Sequence, residues 1–109
     1  MTARVEVLSF AGCPHARPAV ALVEQVARDT AVDVDLRLID VRDAASAVER
    51  RFLGSPTVRV DGRDVEPGSD ARTEFGLACR VYQARDGSPS GLPRHDWLEA
   101  ALRATKEER

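Results

Sequence analysis

Residues 4–10 alternate apolar and polar before turning apolar, the pattern of a central strand, and Ala11-Gly12 breaks it. Over residues 14–30 the apolar positions Ala16, Val20, Val23 and Ala27 recur at helical spacing, with Leu22 and Val26 on a flanking line. Pro14 suits a first helical turn, where a missing N–H has no partner to lose. Pro18 removes a bond to the carbonyl of Pro14, so a kink or a loosened turn is expected there. Residues 32–40 set Val32, Val34, Leu36 and Leu38 against Asp33, Asp35 and Arg37, a half-buried strand. A short helix over 42–52 carries Ala44, Ala45, Ala47, Val48 and Phe52, and Gly54-Ser55-Pro56 ends it. Residues 57–60 read as a strand, Asp61-Gly62 as a tight hairpin turn and 64–66 as the return strand. Residues 75–83 allow an extra short strand, and 86–93 form a Gly/Pro/Ser loop. A last helix over 94–105 turns Trp97, Leu98, Ala101 and Leu102 inward, and the tail 106–109 is expected to fray.

The order β-α-β-α-β-β-α predicts an α/β fold: a mixed four-stranded sheet, its first pair parallel through a right-handed crossover, with helices on both faces. The 109 residues fit one domain over 1–109. A net charge of −2 gives no reason to expect a nucleic-acid or membrane partner, and no apolar run approaches a membrane span. Nothing resembles a signal peptide, so the expected location is cytoplasmic, of bacterial type. The basic residues are nearly all arginine, Lys106 being the only lysine, which composition bias explains as well as function does. In a reducing compartment the two cysteines, Cys13 and Cys79, are not expected to form a structural disulfide. A catalytic, redox or metal role then competes with plain burial as small hydrophobes.

Cys13 falls between the first strand and the first helix, in Gly12-Cys13-Pro14-His15-Ala16. A cysteine there faces unpaired backbone N–H groups and the positive end of the helix, both of which favour thiolate over thiol. His15 adds positive charge or accepts the thiol proton. Cys79 lies in the insertion that leaves the hairpin at Pro67, and the topology returns that point to the edge Cys13 occupies. Arg80 follows as a candidate counter-charge to a thiolate. The alternative for Cys79 is core packing within Leu77-Ala78-Cys79-Arg80-Val81-Tyr82. The Arg50-Arg51 pair reads as a solvated helix face, His95 as a solvated first-turn residue, and Trp97 as a core or cap aromatic.

Strand, Gly12-Cys13-Pro14-His15-Ala16 and helix resemble the thioredoxin superfamily, the proline after the cysteine being closer to glutaredoxins. Gly54-Ser55-Pro56-Thr57 resembles that superfamily's cis-proline loop. The resemblance covers about residues 4–67 and the last helix. It implies a thioredoxin-like fold and a thiol-disulfide oxidoreductase-like activity with Cys13 as nucleophile. It also implies a cis Ser55–Pro56 bond that leaves the Ser55 backbone free to pair with an extended substrate. Pro14, His15, Ser55, Pro56, Thr57 and Arg80 would then line the substrate site. The chain departs from the family at Ala16, where a dithiol enzyme keeps its resolving cysteine, so Cys79 or an external thiol must resolve the mixed disulfide. The implied partners are a disulfide-containing protein or a low-molecular-weight thiol such as glutathione, and no resident cofactor or metal is implied. The Gly-Ser-Pro-Thr and Cys-Arg-Val-Tyr stretches are also similar to short proteins labelled alkylmercury lyase-like. That supports a second reading, capture of a soft ion such as mercury or copper(I) by two thiolates. An inert interaction module on the same fold is a third.

Overall fold

In the computed structural model, which describes residues 2–108, strand β1 (Thr2–Ser9) lies at the centre of a four-stranded sheet. On one side β2 (Asp33–Asp40) runs parallel to it, from Thr2 opposite Asp33 to Ser9 opposite Asp40. On the other, β3 (Thr57–Val60) runs antiparallel, with Leu8 opposite Thr57, and a hairpin adds β4 (Arg63–Asp64). Asp61 and Gly62 both take left-handed φ, 49° and 85°, as the two-residue turn expected at those positions requires.

Side chains alternate along a strand, so β1 divides the core between two faces. Ala3, Val5 and Val7, with Val58 and Val60, meet Ala19, Val23 and Val26 of α1 (Ala16–Thr30) and Leu98 and Leu102 of α3 (His95–Glu108). Leu8 turns the other way, to Val41, Phe52 and Ala47 of α2 (Ala44–Glu49). The architecture is mixed α/β, with three helices packed on a mixed sheet of order β2-β1-β3-β4.

The element ends differ from the sequence reading for identifiable reasons. α1 begins at Ala16, after the N-cap residue His15, which leaves Pro14 outside the helix. Pro18 therefore falls in the first turn, where its amide has no helical acceptor, and the kink expected from it has no cause. α2 is shorter than residues 42–52. Asp43 caps it by accepting from the Ser46 N–H at 2.7 Å, and Arg51 ends it at a left-handed φ of 55°. Arg59 closes that end by donating to the carbonyls of Arg50 and Arg51 at 2.6 and 3.1 Å. Only Ala47 of the short helix is buried, and Val48 is exposed.

α3 extends past residue 105, where the sequence reading ended it, to Glu108, and Lys106 Nζ donates to the Thr30 carbonyl at 2.9 Å. Arg109 lies outside the described residues. Residues 86–93 are more than a loop. β6 (Pro89–Ser90) pairs with β5 (Tyr82–Gln83), the turn between them fixed by Asp86 Oδ1 accepting from the Ser88 N–H and Oγ. Among the described residues no helix is long and apolar enough to cross a membrane.

Candidate functional site

The turn after β1 is closed by the Cys13 N–H donating to the Phe10 carbonyl at 3.2 Å, with Gly12 at φ 85°, a conformation that favours glycine. Cys13 stands two residues ahead of the N-cap His15, not within the first helical turn. The backbone N–H groups of His15 and Arg17 have no protein acceptor among the described residues. Free donors therefore follow the cysteine at the positive end of α1. The thiol is half-buried and lines an open groove of about 610 Å³ together with Phe10, Pro14, Arg17, Leu38 and Asp40. Leu38 is 59% exposed there, although its alternation partners Val34 and Leu36 pack on the core. The His15 ring lies against Gly91, just past β6: a Cβ added there would stand 2.5 Å from Nε2.

The second half of the site is the loop before β3, buried from Phe52 to Val58. The Ser55–Pro56 bond is cis. Ser55 donates its N–H to the Ala78 carbonyl and accepts from the Arg80 N–H, both at 2.9 Å, a one-rung parallel bridge that sets Cys79 beside Ser55. The Gly76 N–H donates to the Phe52 carbonyl at 3.1 Å, and Tyr82 Oη donates to the Pro56 carbonyl at 2.5 Å. Residues 76–82 thus form a strap over the loop. Gly54, at φ 125°, makes the approach feasible, since a Cβ there would stand 3.0 Å from both the Ala78 carbonyl oxygen and Arg80 Cβ.

This geometry corrects the expectation of a free Ser55 backbone. The chain's own residues 78–80 take both of its hydrogen-bonding groups, and Ser55, Pro56, Thr57 and Arg80 are buried rather than open to a substrate. Cys79 is likewise not a core residue. Leu77, Ala78, Cys79 and Val81 are exposed, while Arg80 and Tyr82 point inward.

Arg80 is drawn in by carboxylates on the return side of the hairpin. Nη1 donates to Asp64 Oδ2 at 2.7 Å and to Thr57 Oγ1 at 3.0 Å, and Nη2 donates to Asp64 Oδ1 at 3.1 Å and Glu66 Oε1 at 2.7 Å. The guanidinium also lies over the Tyr82 ring, 4.5 Å from its centroid. Burial alone would push its pKa down, and the hydrogen bonds to Asp64 and Glu66, with the charge of Asp64, more than reverse that. With its charge compensated there, Arg80 is not the counter-charge to a thiolate expected from the sequence. Arg80 Nε and Ser55 Oγ are buried without a protein partner.

The structure therefore brings Ser55, Pro56, Thr57, Cys79 and Arg80 into one cluster, and Cys13, Pro14 and His15 into another. Because Leu8 pairs with Thr57, the turn bearing Cys13 and the loop bearing Ser55 lie at the same edge of the sheet. Cys13 and Cys79 are both free thiols. Among the described residues no group of three or more His, Cys, Asp or Glu side chains is placed to hold a metal ion. Sequence reasoning missed the strap and its anchors Asp64 and Glu66. The available signal was the spacing of Arg80 and Tyr82, which puts both on one side of an extended segment. Comparison of the chain with protein-family models, with curated proteins and with solved structures finds no match.

Proposed function

We propose that this chain is a thioredoxin-like thiol redox protein in which Cys13 is the nucleophile and Cys79 or an external thiol resolves the mixed disulfide. One observation carries the reading. The strap sets Cys79, exposed, beside Ser55 and next to the cis bond of Pro56, at the sheet edge that bears the Cys13 turn. The sheet order and the free backbone donors that follow Cys13 support it.

The chemistry is a two-step exchange. Cys13 thiolate attacks one sulfur of a substrate disulfide, forming a mixed S–S bond and releasing the other sulfur as a thiolate, which takes a proton from water. A second thiolate, from Cys79 or a small thiol, then attacks Cys13 Sγ and releases the second substrate sulfur. The substrate gains two electrons, and the protein dithiol, or Cys13 with the external thiol, is oxidised to a disulfide. With the Ser55 backbone already occupied, the open groove along Phe10, Leu38 and Asp40 is the route by which substrate reaches Cys13.

Intact-mass analysis after oxidation with glutathione disulfide tests this on the wild type and on Cys13→Ser and Cys79→Ser. The expected products are an internal disulfide or a single glutathione adduct at Cys13 in the wild type, and the Cys13 adduct in Cys79→Ser. An unmodified Cys13 under conditions that modify Cys79 would overturn the proposal.

A further inference from the structure

Arg59 of β3, opposite Glu6, donates to the backbone that ends α2. Beside it lies a cleft of about 710 Å³, lined by Arg50, Arg51, Arg59, Arg63 and Arg72 in a chain whose net charge is −2. That volume suits a small molecule. Cys13 does not line the cleft.

The three carboxylates of the lining are Asp64, Glu66 and Asp70. Asp64 and Glu66 are engaged from the core side by Arg80, and Glu66 also accepts from Arg72, whose Nε is held by Glu74 at 2.6 Å. Arg59 spends its Nη2 on the carbonyls that end α2. Three guanidiniums are left over. Arg51 lies over the Phe75 ring, 5.0 Å from its centroid, which occupies its face and leaves its edge donors open. No hydrogen bond or ion pair engages the side chains of Arg50 or Arg63 among the described residues. Against them stands one carboxylate of the lining without an arginine partner among the described residues, Asp70.

We propose that this cleft binds a small polyanion carrying adjacent phosphate groups, its oxygens taken by Arg50, Arg51 and Arg63. The planar guanidinium fork pairs with two oxygens of one phosphate. A tetrahedral phosphate accepts such forks from several directions, whereas a planar carboxylate offers one edge. Here the forks come from two separate elements, the end of α2 and the β3–β4 hairpin.

Isothermal titration with pyrophosphate, at ionic strength held constant with sodium chloride, tests the site. Orthophosphate and citrate are run alongside. Saturable one-to-one binding of pyrophosphate is expected, with affinity reduced at least about tenfold in Arg50→Gln/Arg63→Gln. Arg103→Gln, on the exposed side of α3, is expected to bind as the wild type does. Unchanged thermal unfolding of the double variant establishes that loss of binding is not loss of fold. Absence of saturable binding, equal loss in Arg103→Gln, or no loss in the double variant would overturn the proposal. Tighter binding of citrate than of pyrophosphate would contradict the assignment to phosphate.

Discussion

Arg80 and Asp64 face each other as a fork on a fork, Nη1 to Oδ2 at 2.7 Å and Nη2 to Oδ1 at 3.1 Å, which pins the strap to the hairpin. The Arg80 side chain is 1% exposed and its two acidic partners are also largely covered. Removing one member of such a group strands the others away from water. Arg80→Met is expected to cost about 3–5 kcal/mol in urea unfolding and to raise the alkylation rate of Cys79 as the strap loosens. A loss below about 1 kcal/mol would mean that the ion pairs do not hold the strap.

Gly54 lies where the strap leaves no room for a side chain on the loop. Its φ of 125° lies outside the region open to L side chains, and a Cβ would meet the Ala78 carbonyl oxygen and the Arg80 Cβ and Cα, none of which is the far end of a flexible side chain. Gly54→Ala is expected to lower stability by about 1–3 kcal/mol, read as a shift in urea midpoint. An unchanged midpoint would show that the strap does not press on the loop.

Gly91 differs because its obstacle is a mobile side chain, the His15 ring. Gly91→Ala is expected to leave stability within about 1 kcal/mol, while displacing the ring and slowing iodoacetamide alkylation of Cys13 near neutral pH. His15→Ala is expected to slow that alkylation likewise. Equal rates for all three proteins would remove His15 from the site.

Asp43 supplies a pH dependence. The Ser46 N–H and hydroxyl beside its carboxylate hold its pKa below the usual aspartate range. The linked stability is therefore fully present above the unfolded-state aspartate pKa and is lost as pH falls through the lowered native value. Asp43→Asn keeps a cap acceptor but cannot titrate, so its thermal midpoint should decline less than that of the wild type between neutral and acid pH. Parallel declines would contradict the linkage.

The strands and long helices were legible because one face of each is buried, and burial writes itself into spacing, as Val5, Val7, Val23 and Val26 show. The hairpin was legible because only a few residue pairs suit Asp61-Gly62 geometry. Helix ends were not, since Pro14 fits the turn before a helix as readily as its first position. The strap escaped because its partner is a loop and its buried anchor is charged. Hydrophobic periodicity cannot find an inward arginine whose carboxylates lie 14 and 16 residues away in sequence. The Cys13 turn was read from its residues, while the covering of Ser55 depends on a contact across more than twenty positions.

Competitive alkylation of the two thiols tests the central claim most directly, because exposure and the proposed nucleophilic role give opposite orders. Cys79 is the more exposed and Cys13 the half-buried one. If the turn before α1 favours the thiolate, Cys13 in Cys79→Ser reacts with iodoacetamide at neutral pH well ahead of Cys79 in Cys13→Ser. Equal slow rates, or faster reaction of Cys79, would contradict the account.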